Sequence, residues 1–157
     1  MKNKAQFLTM VAAVFFLLFT ACGKDDDTDK SDAEKTAAIV GKWNFEKFVS
    51  KETPGETETF TARDGEWIEF KNDGTASQRV YNEDEEEYET SDGLWRIKGG
   101  KLYLEDELTD LEESIEDGDG VTIIKLTSSE LVVKEEDSWT DEVLGVVKWE
   151  STTYLKK

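Results

Sequence analysis

The sequence predicts an all-β domain over residues 38–157, an eight-stranded antiparallel up-and-down (meander) barrel with one short helix. Three observations predict it. From Ile39 onward, apolar residues alternate with polar ones in short runs, the period of half-buried strands. Asn72-Asp73-Gly74 and Gly99-Gly100 separate such runs with residues that tolerate the positive φ of tight hairpins. The runs follow one another through hairpin-length links, and closing them into a barrel removes the exposed edges that an open sheet would leave.

Ahead of the barrel stands an export signal. Met1 to Lys4 is basic, residues 7–19 are almost continuously apolar, and Thr20-Ala21 supplies small residues before Cys22, the chain's single cysteine. The apolar run falls short of the roughly 20 residues that a membrane span needs. Small residues followed directly by Cys resemble the lipobox of bacterial lipoproteins, with Phe19 where that motif usually has Leu. The resemblance implies that residues 1–21 are removed as a signal peptide and that Cys22 carries the lipid that anchors the protein to the outer membrane of a Gram-negative cell. An ordinary cleaved signal with a free thiol is the alternative. Residues 23–36, GKDDDTDKSDAEKT, contain no aromatic or branched apolar side chain, so residues 22–37 are expected to be the lipidated Cys and a disordered acidic tether. Lys24-Asp25-Asp26-Asp27 resembles the acidic surface-export signal of some Gram-negative lipoproteins and implies an outward-facing protein; a plain solvated linker is the alternative.

The eight strands follow in order. The first, residues 41–49, places Trp43, Phe45 and Val49 on one face with Asn44 and Glu46 on the other. Residues 57–62 add an irregular extended piece after Pro54-Gly55. Strands at 66–71 and 75–81 flank the Asn-Asp-Gly turn, and strands at 93–98 and 101–105 flank Gly99-Gly100. Residues 108–117 change period: Leu108, Leu111 and Ile115 fall at helical spacing, Thr109 and Glu112 fit a capping box, and Gly118 fits a helix stop. This stripe is expected to plug one opening of the barrel. Strands at 121–126, 131–135 and 146–155 complete the ring.

Ile39-Val40-Gly41-Lys42-Trp43 matches the Gly-x-Trp signature at the first strand of lipocalins. With Ile68-Glu69-Phe70, Asn72-Asp73-Gly74-Thr75, Gly93-Leu94-Trp95, Leu126-Thr127-Ser128-Ser129-Glu130-Leu131 and Thr153-Tyr154-Leu155, the order is similar to the lipocalin-like domains of bacterial lipoproteins. The resemblance implies a lipocalin-like barrel that binds a small apolar or amphipathic ligand. Two features depart from it. Lipocalins place a late Arg against the first-strand Trp, whereas no Arg follows Arg96, leaving Lys148 or Lys156 as imperfect substitutes for a planar guanidinium. The Thr-Asp-Tyr block is not evident either.

Alternation gives an inward set of Trp43, Phe45, Ile68, Phe70, Trp95, Ile97, Leu102, Leu104, Ile124, Leu126, Leu131, Val133 and Trp149. The interior of an eight-stranded barrel is either filled by side chains or wide enough for one small ligand. Candidate ligand residues are Phe45, Phe70, Trp95 and Trp149, with Ser151 and Thr153 as small polar residues that leave space beside Trp149. Trp43 is expected to close one end. If the interior is filled, the barrel becomes the scaffold of a surface interaction protein. Trp67 and Trp139 are not assigned by alternation.

Composition removes other classes. A net charge of −18 with no histidine argues against nucleic-acid binding and against the commonest transition-metal ligand. Asp117-Gly118-Asp119-Gly120 begins like a calcium loop but has Val121 and Ser128 where oxygen-rich ligands belong, so no metal or other cofactor is expected. Without histidine or a free thiol the usual nucleophile and base pairs are missing, and no enzyme activity is expected. One cysteine makes no internal disulfide, so the fold rests on its apolar core, and a monomer is expected.

Overall fold

The computed structural model describes residues 30–157; the export signal, Cys22 and the spacer as far as residue 29 lie outside the described residues. Nine strands follow in sequence: β1 (Gly41–Thr53), β2 (Thr57–Thr61), β3 (Trp67–Phe70), β4 (Thr75–Asn82), β5 (Glu87–Lys98), β6 (Lys101–Glu105), β7 (Val121–Leu126), β8 (Glu130–Asp141) and β9 (Gly145–Lys156). Helix α1 (Asp32–Ile39) precedes β1, and α2 (Leu108–Asp117) links β6 to β7. All pairings are antiparallel between sequence neighbours, apart from β1 with β3 and the pairing of β1 with β9 that closes the ring. β2 and β3 share one edge of β1, Thr57–Thr61 along Lys47–Lys51 and Trp67–Phe70 along Gly41–Asn44, so they are one strand interrupted by a loop at residues 62–66. The result is a closed eight-stranded barrel in which β2 and β3 together fill one strand position beside β1.

The hairpins form through the chemistry of their turn residues. Asp73 Oδ1 accepts from the Thr75 backbone N–H (3.0 Å) and hydroxyl (2.7 Å), and these bonds hold its carboxyl below the usual range. Gly74 has φ 83°, while Gly99 and Gly100 have φ 61° and 78°, the left-handed pair of a two-residue hairpin turn.

The structure overturns the disordered reading of residues 32–37. Ser31 and Glu34 form a reciprocal capping box that starts α1. The Asp32 carboxylate accepts from the Gly99 and Gly100 N–H groups at 2.6 and 2.9 Å, and Ile39 is fully buried in the core. These contacts with distant parts of the chain offset the entropy that the polar composition alone does not. The helix thereby covers one end of the barrel. Trp43 Nε1 donates to Ile39 O at 2.6 Å, and Lys30 Nζ donates to Leu126 O at 3.1 Å. The cation that meets Trp43 is Lys157, neither Lys148 nor Lys156. Its ammonium stands 4.5 Å from the ring centroid and donates to the Ala38 and Val40 carbonyls. Lys156 pairs with Glu46 instead, at 2.6 Å.

The second helix also differs from expectation. Leu111 and Ile115 of α2 pack on Tyr103 and Leu94, which lie on the outer face of β6 and β5, so α2 covers the wall and plugs no opening. The box expected at Thr109 and Glu112 does not form. Glu107 occupies the N-cap without a side-chain bond, and Gly118 ends the helix at φ 81° with its N–H on Ser114 O.

Two bulges reset the alternation. Register shifts between Phe45 and Lys47 in β1 and between Ile123 and Lys125 in β7. Phe48 therefore turns inward with Phe45 in place of Val49, and Ile123 is buried while Ile124 is 44% exposed. β6 and β7 pair only at Lys101–Thr122 and Leu102–Val121, then part. Tyr103 and Gly120 meet across this seam so closely that a Cβ on Gly120 would stand 2.7 Å from the ring.

Two substitutions test this packing. Ile39→Ala is expected to cost about 2–5 kcal/mol in denaturant unfolding, because it empties a fully buried site between helix and barrel. Wild-type stability in that variant would show that α1 is no part of the fold. Gly120→Ala is expected to cost about 1–3 kcal/mol by forcing Tyr103 to move, and an unchanged unfolding midpoint would contradict the seam contact.

Candidate functional cavity

Above the packed end, where Trp43, Ile39 and Leu126 are fully buried, the barrel holds a cavity of about 340 Å³. The bulge in β1 supplies Phe45 and Phe48, whose ring centroids lie 5.5 Å apart. β3 supplies Ile68 and Phe70, β6 supplies Leu102 and Leu104, β8 supplies Leu131 and Val133, and β9 supplies Thr153 and Leu155. These positions alternate along their strands, which is why one pleated wall turns all of them inward. Gln78 of β4 and Thr153 are the polar groups within the wall.

The lining continues from Leu102 and Leu104 to Tyr103 and Glu105 on the other face of β6, and to Asp119, Gly120 and Val121 before and within β7. The cavity thus reaches solvent where β6 and β7 part. The same parting leaves Leu104 38% exposed although it points into the barrel. Glu105 Oε1 accepts from the Ser114 hydroxyl at 2.5 Å, which fixes the carboxylate between β6 and α2. Lys101 Nζ donates to Gly118 O, also at 2.5 Å. The side chains lining the cavity include no Lys or Arg.

Of the candidate ligand residues, Phe45, Phe70 and Thr153 line this cavity. Trp95 does not. It is buried behind Phe70, with ring centroids 5.3 Å apart in an edge-on contact, and its Nε1 donates to Lys71 O at 3.0 Å. Trp149 and Ser151 also lie outside the lining. Trp149 donates from Nε1 to Ser50 Oγ at 3.0 Å and borders a separate polar recess with Lys51, Glu136, Lys148 and Glu150. On that side Lys134 bonds both Glu136 and Glu150, which raises the Lys134 pKa and lowers that of Glu150. Cys22 lies outside the described residues. Alternation alone missed Phe48, Gln78, Glu105 and Asp119. For Phe48 the signal was present, since two polar residues separate it from Phe45 and break the period of two.

The two unassigned tryptophans are on the outside. Lys42 Nζ lies 3.9 Å from the Trp67 ring centroid. Trp139 faces Val147 near the β8–β9 turn, where Val143 is 90% exposed and Leu144 and Val146 are exposed beside it. The Val143 and Leu144 N–H groups both donate to Asp141 Oδ1 at 2.8 Å and hold that carboxyl below its usual range. Among the described residues, no group of three or more His, Cys, Asp or Glu is arranged to hold a metal ion.

No curated protein matches the sequence. A crystal structure of a lipocalin-like protein from Bacteroides uniformis is similar at 16% identity, covering 76% of this chain and 98% of its own, with a TM-score of 0.46. An uncharacterized protein from Bacteroides eggerthii is similar at 14% identity over the same shares, with a TM-score of 0.43. The family model described as a lipocalin-like domain matches residues 39–133, from the buried end of α1 to the cavity-lining Val133. That match spans more than half of the sequence, and the chain belongs to the lipocalin-like domain family.

Proposed function

We propose that this protein is a lipid-anchored cell-envelope binder that holds a small apolar or amphipathic molecule in its barrel without transforming it. The observation that carries the reading is the cavity, about 340 Å³ of space walled by Phe, Leu, Ile and Val side chains inside a barrel whose other end is packed. That size is at the lower end of small-molecule sites, which run from about 300 to 1,000 Å³. Moving an apolar chain from water to such walls supplies affinity at about 25 cal/mol per Å² of surface removed. Phe45, Phe48, Phe70 and Thr153 are the contacts, and Trp95 braces Phe70 from behind. Thr20-Ala21-Cys22 after a basic and apolar leader supports attachment through Cys22, at the outer membrane of a Gram-negative cell, with the barrel working as a monomer.

A second reading rests on a different observation. Trp139, Val143, Leu144 and Val146 expose apolar surface together around the β8–β9 turn, as a protein-contact surface does. In that reading the barrel is a scaffold and the cavity is incidental.

Two experiments test the proposal. A neutral fluorescent probe, 1-N-phenylnaphthylamine, is expected to bind the purified protein with a blue shift, and Val133→Trp, which fills the cavity, is expected to weaken binding at least tenfold. Equal binding by wild type and variant would move the site elsewhere and favour the scaffold reading. Cys22→Ser is expected to shift the protein from the membrane fraction to the soluble fraction, and unchanged membrane association would remove the lipid anchor.

A further inference from the structure

Resting on the proposed binding role of the cavity, we infer that its ligand is a cationic amphiphile, an apolar chain ending in an ammonium group, and that Glu105 and Asp119 at the mouth select it. The walls recognise only the chain. Phe45, Phe48, Leu131 and Val133 carry no group that distinguishes one polar end from another. Taking about 30 Å³ per water-sized group, the volume suits a chain of about ten carbons. Its polar end then falls where β6 and β7 part, since that is where the lining reaches solvent.

The charged groups in the lining there are both carboxylates. Glu105 is held in place by the Ser114 hydroxyl at 2.5 Å, and Asp119 follows the helix-ending Gly118 with its N–H bonded to Ser114 O at 3.0 Å. Lys101 of β6 and Arg96 of β5 are absent from the lining. Lys101 is bonded to the Gly118 carbonyl at 2.5 Å, and Arg96 is paired with Glu112 of α2 at 2.7 Å. A ligand carboxylate in this mouth would meet two like charges and no lining cation. An ammonium group would meet two opposite charges beside a low-dielectric wall, where their attraction is least screened. The net charge of −18 adds a field of the same sign around the opening.

The test compares three ten-carbon ligands, decyltrimethylammonium, decanol and decanoate, each below its micellar concentration. Affinity is read from displacement of 1-N-phenylnaphthylamine. Wild type is expected to rank them in that order, with at least tenfold between the ammonium and the carboxylate. Glu105→Gln with Asp119→Asn should bring all three within about threefold, and a far-UV circular dichroism spectrum and unfolding midpoint matching wild type report that the variant is folded. Glutamine keeps the acceptor oxygen that Ser114 uses. Glu56→Gln with Glu58→Gln, exposed positions on and beside β2, should leave the ranking intact. Decanoate binding as tightly as decyltrimethylammonium would overturn the inference. A ranking that survives in the mouth variant, or collapses in the β2 variant, would assign selection to the overall surface charge and overturn it as well. If decanol and the probe bind but charge makes no difference, the cavity remains a binding site and only this inference falls. If no ligand and no probe binds, both fall.

Discussion

Pairing of the first strand with the last is the constraint on which the rest of the molecule depends. β1 and β9 are in register from Asn44–Lys156 to Thr53–Lys148, joining residues roughly a hundred positions apart. Without that pairing the sheet would expose two unpaired edges, and Phe45, Phe48, Thr153 and Leu155 would not face one space. Closure also brings the two ends of the barrel sequence together. Ile39 enters the core, Trp43 bonds to its carbonyl, and Lys157 lies over the Trp43 ring while binding the Ala38 and Val40 carbonyls. A lysine here serves the position that a guanidinium would fill by stacking. It does so from the last residue of the chain and adds two carbonyl bonds that tie that end to the turn between α1 and β1.

Most of the fold was legible because its signals are local. Period-two alternation, the Asn72-Asp73-Gly74 and Gly99-Gly100 turns and the stop at Gly118 each depend on a few neighbouring residues, and the meander follows from their order. What was not legible depends on partners far away in sequence. Residues 32–37 carry one local helix signal, the Ser31 and Glu34 capping box, but what fastens the helix, Asp32 on the Gly99 and Gly100 amides, lies far away in sequence. The stripe of α2 gave the helix but not the surface that receives it, which Tyr103 and Leu94 provide. In the cavity, Phe45, Phe70 and Thr153 followed from alternation, whereas Trp149 did not reach it because β9 carries it beyond the space, to Ser50.

The two bulges follow one rule. Phe45 and Phe48 are separated by Glu46-Lys47, and Ile123 and Leu126 by Ile124-Lys125. In both strands two residues at a spacing of three face inward, where unbroken alternation would put them on opposite sides. In β1 this adds the second aromatic ring of the cavity. In β7 it brings Ile123 and Leu126 into the core and turns Ile124 out to solvent.

Helix α1 gives the barrel a polarity. Lys30, Asp32 and Ile39 fasten the incoming chain to the packed end, where Lys157 also finishes, while the parting of β6 and β7 lies toward the other end of the strands. The chain leading into the barrel therefore meets it at its floor. The segment ahead of β1 and the parting of β6 and β7 thus occupy opposite ends of the barrel, and α1 leaves that seam uncovered.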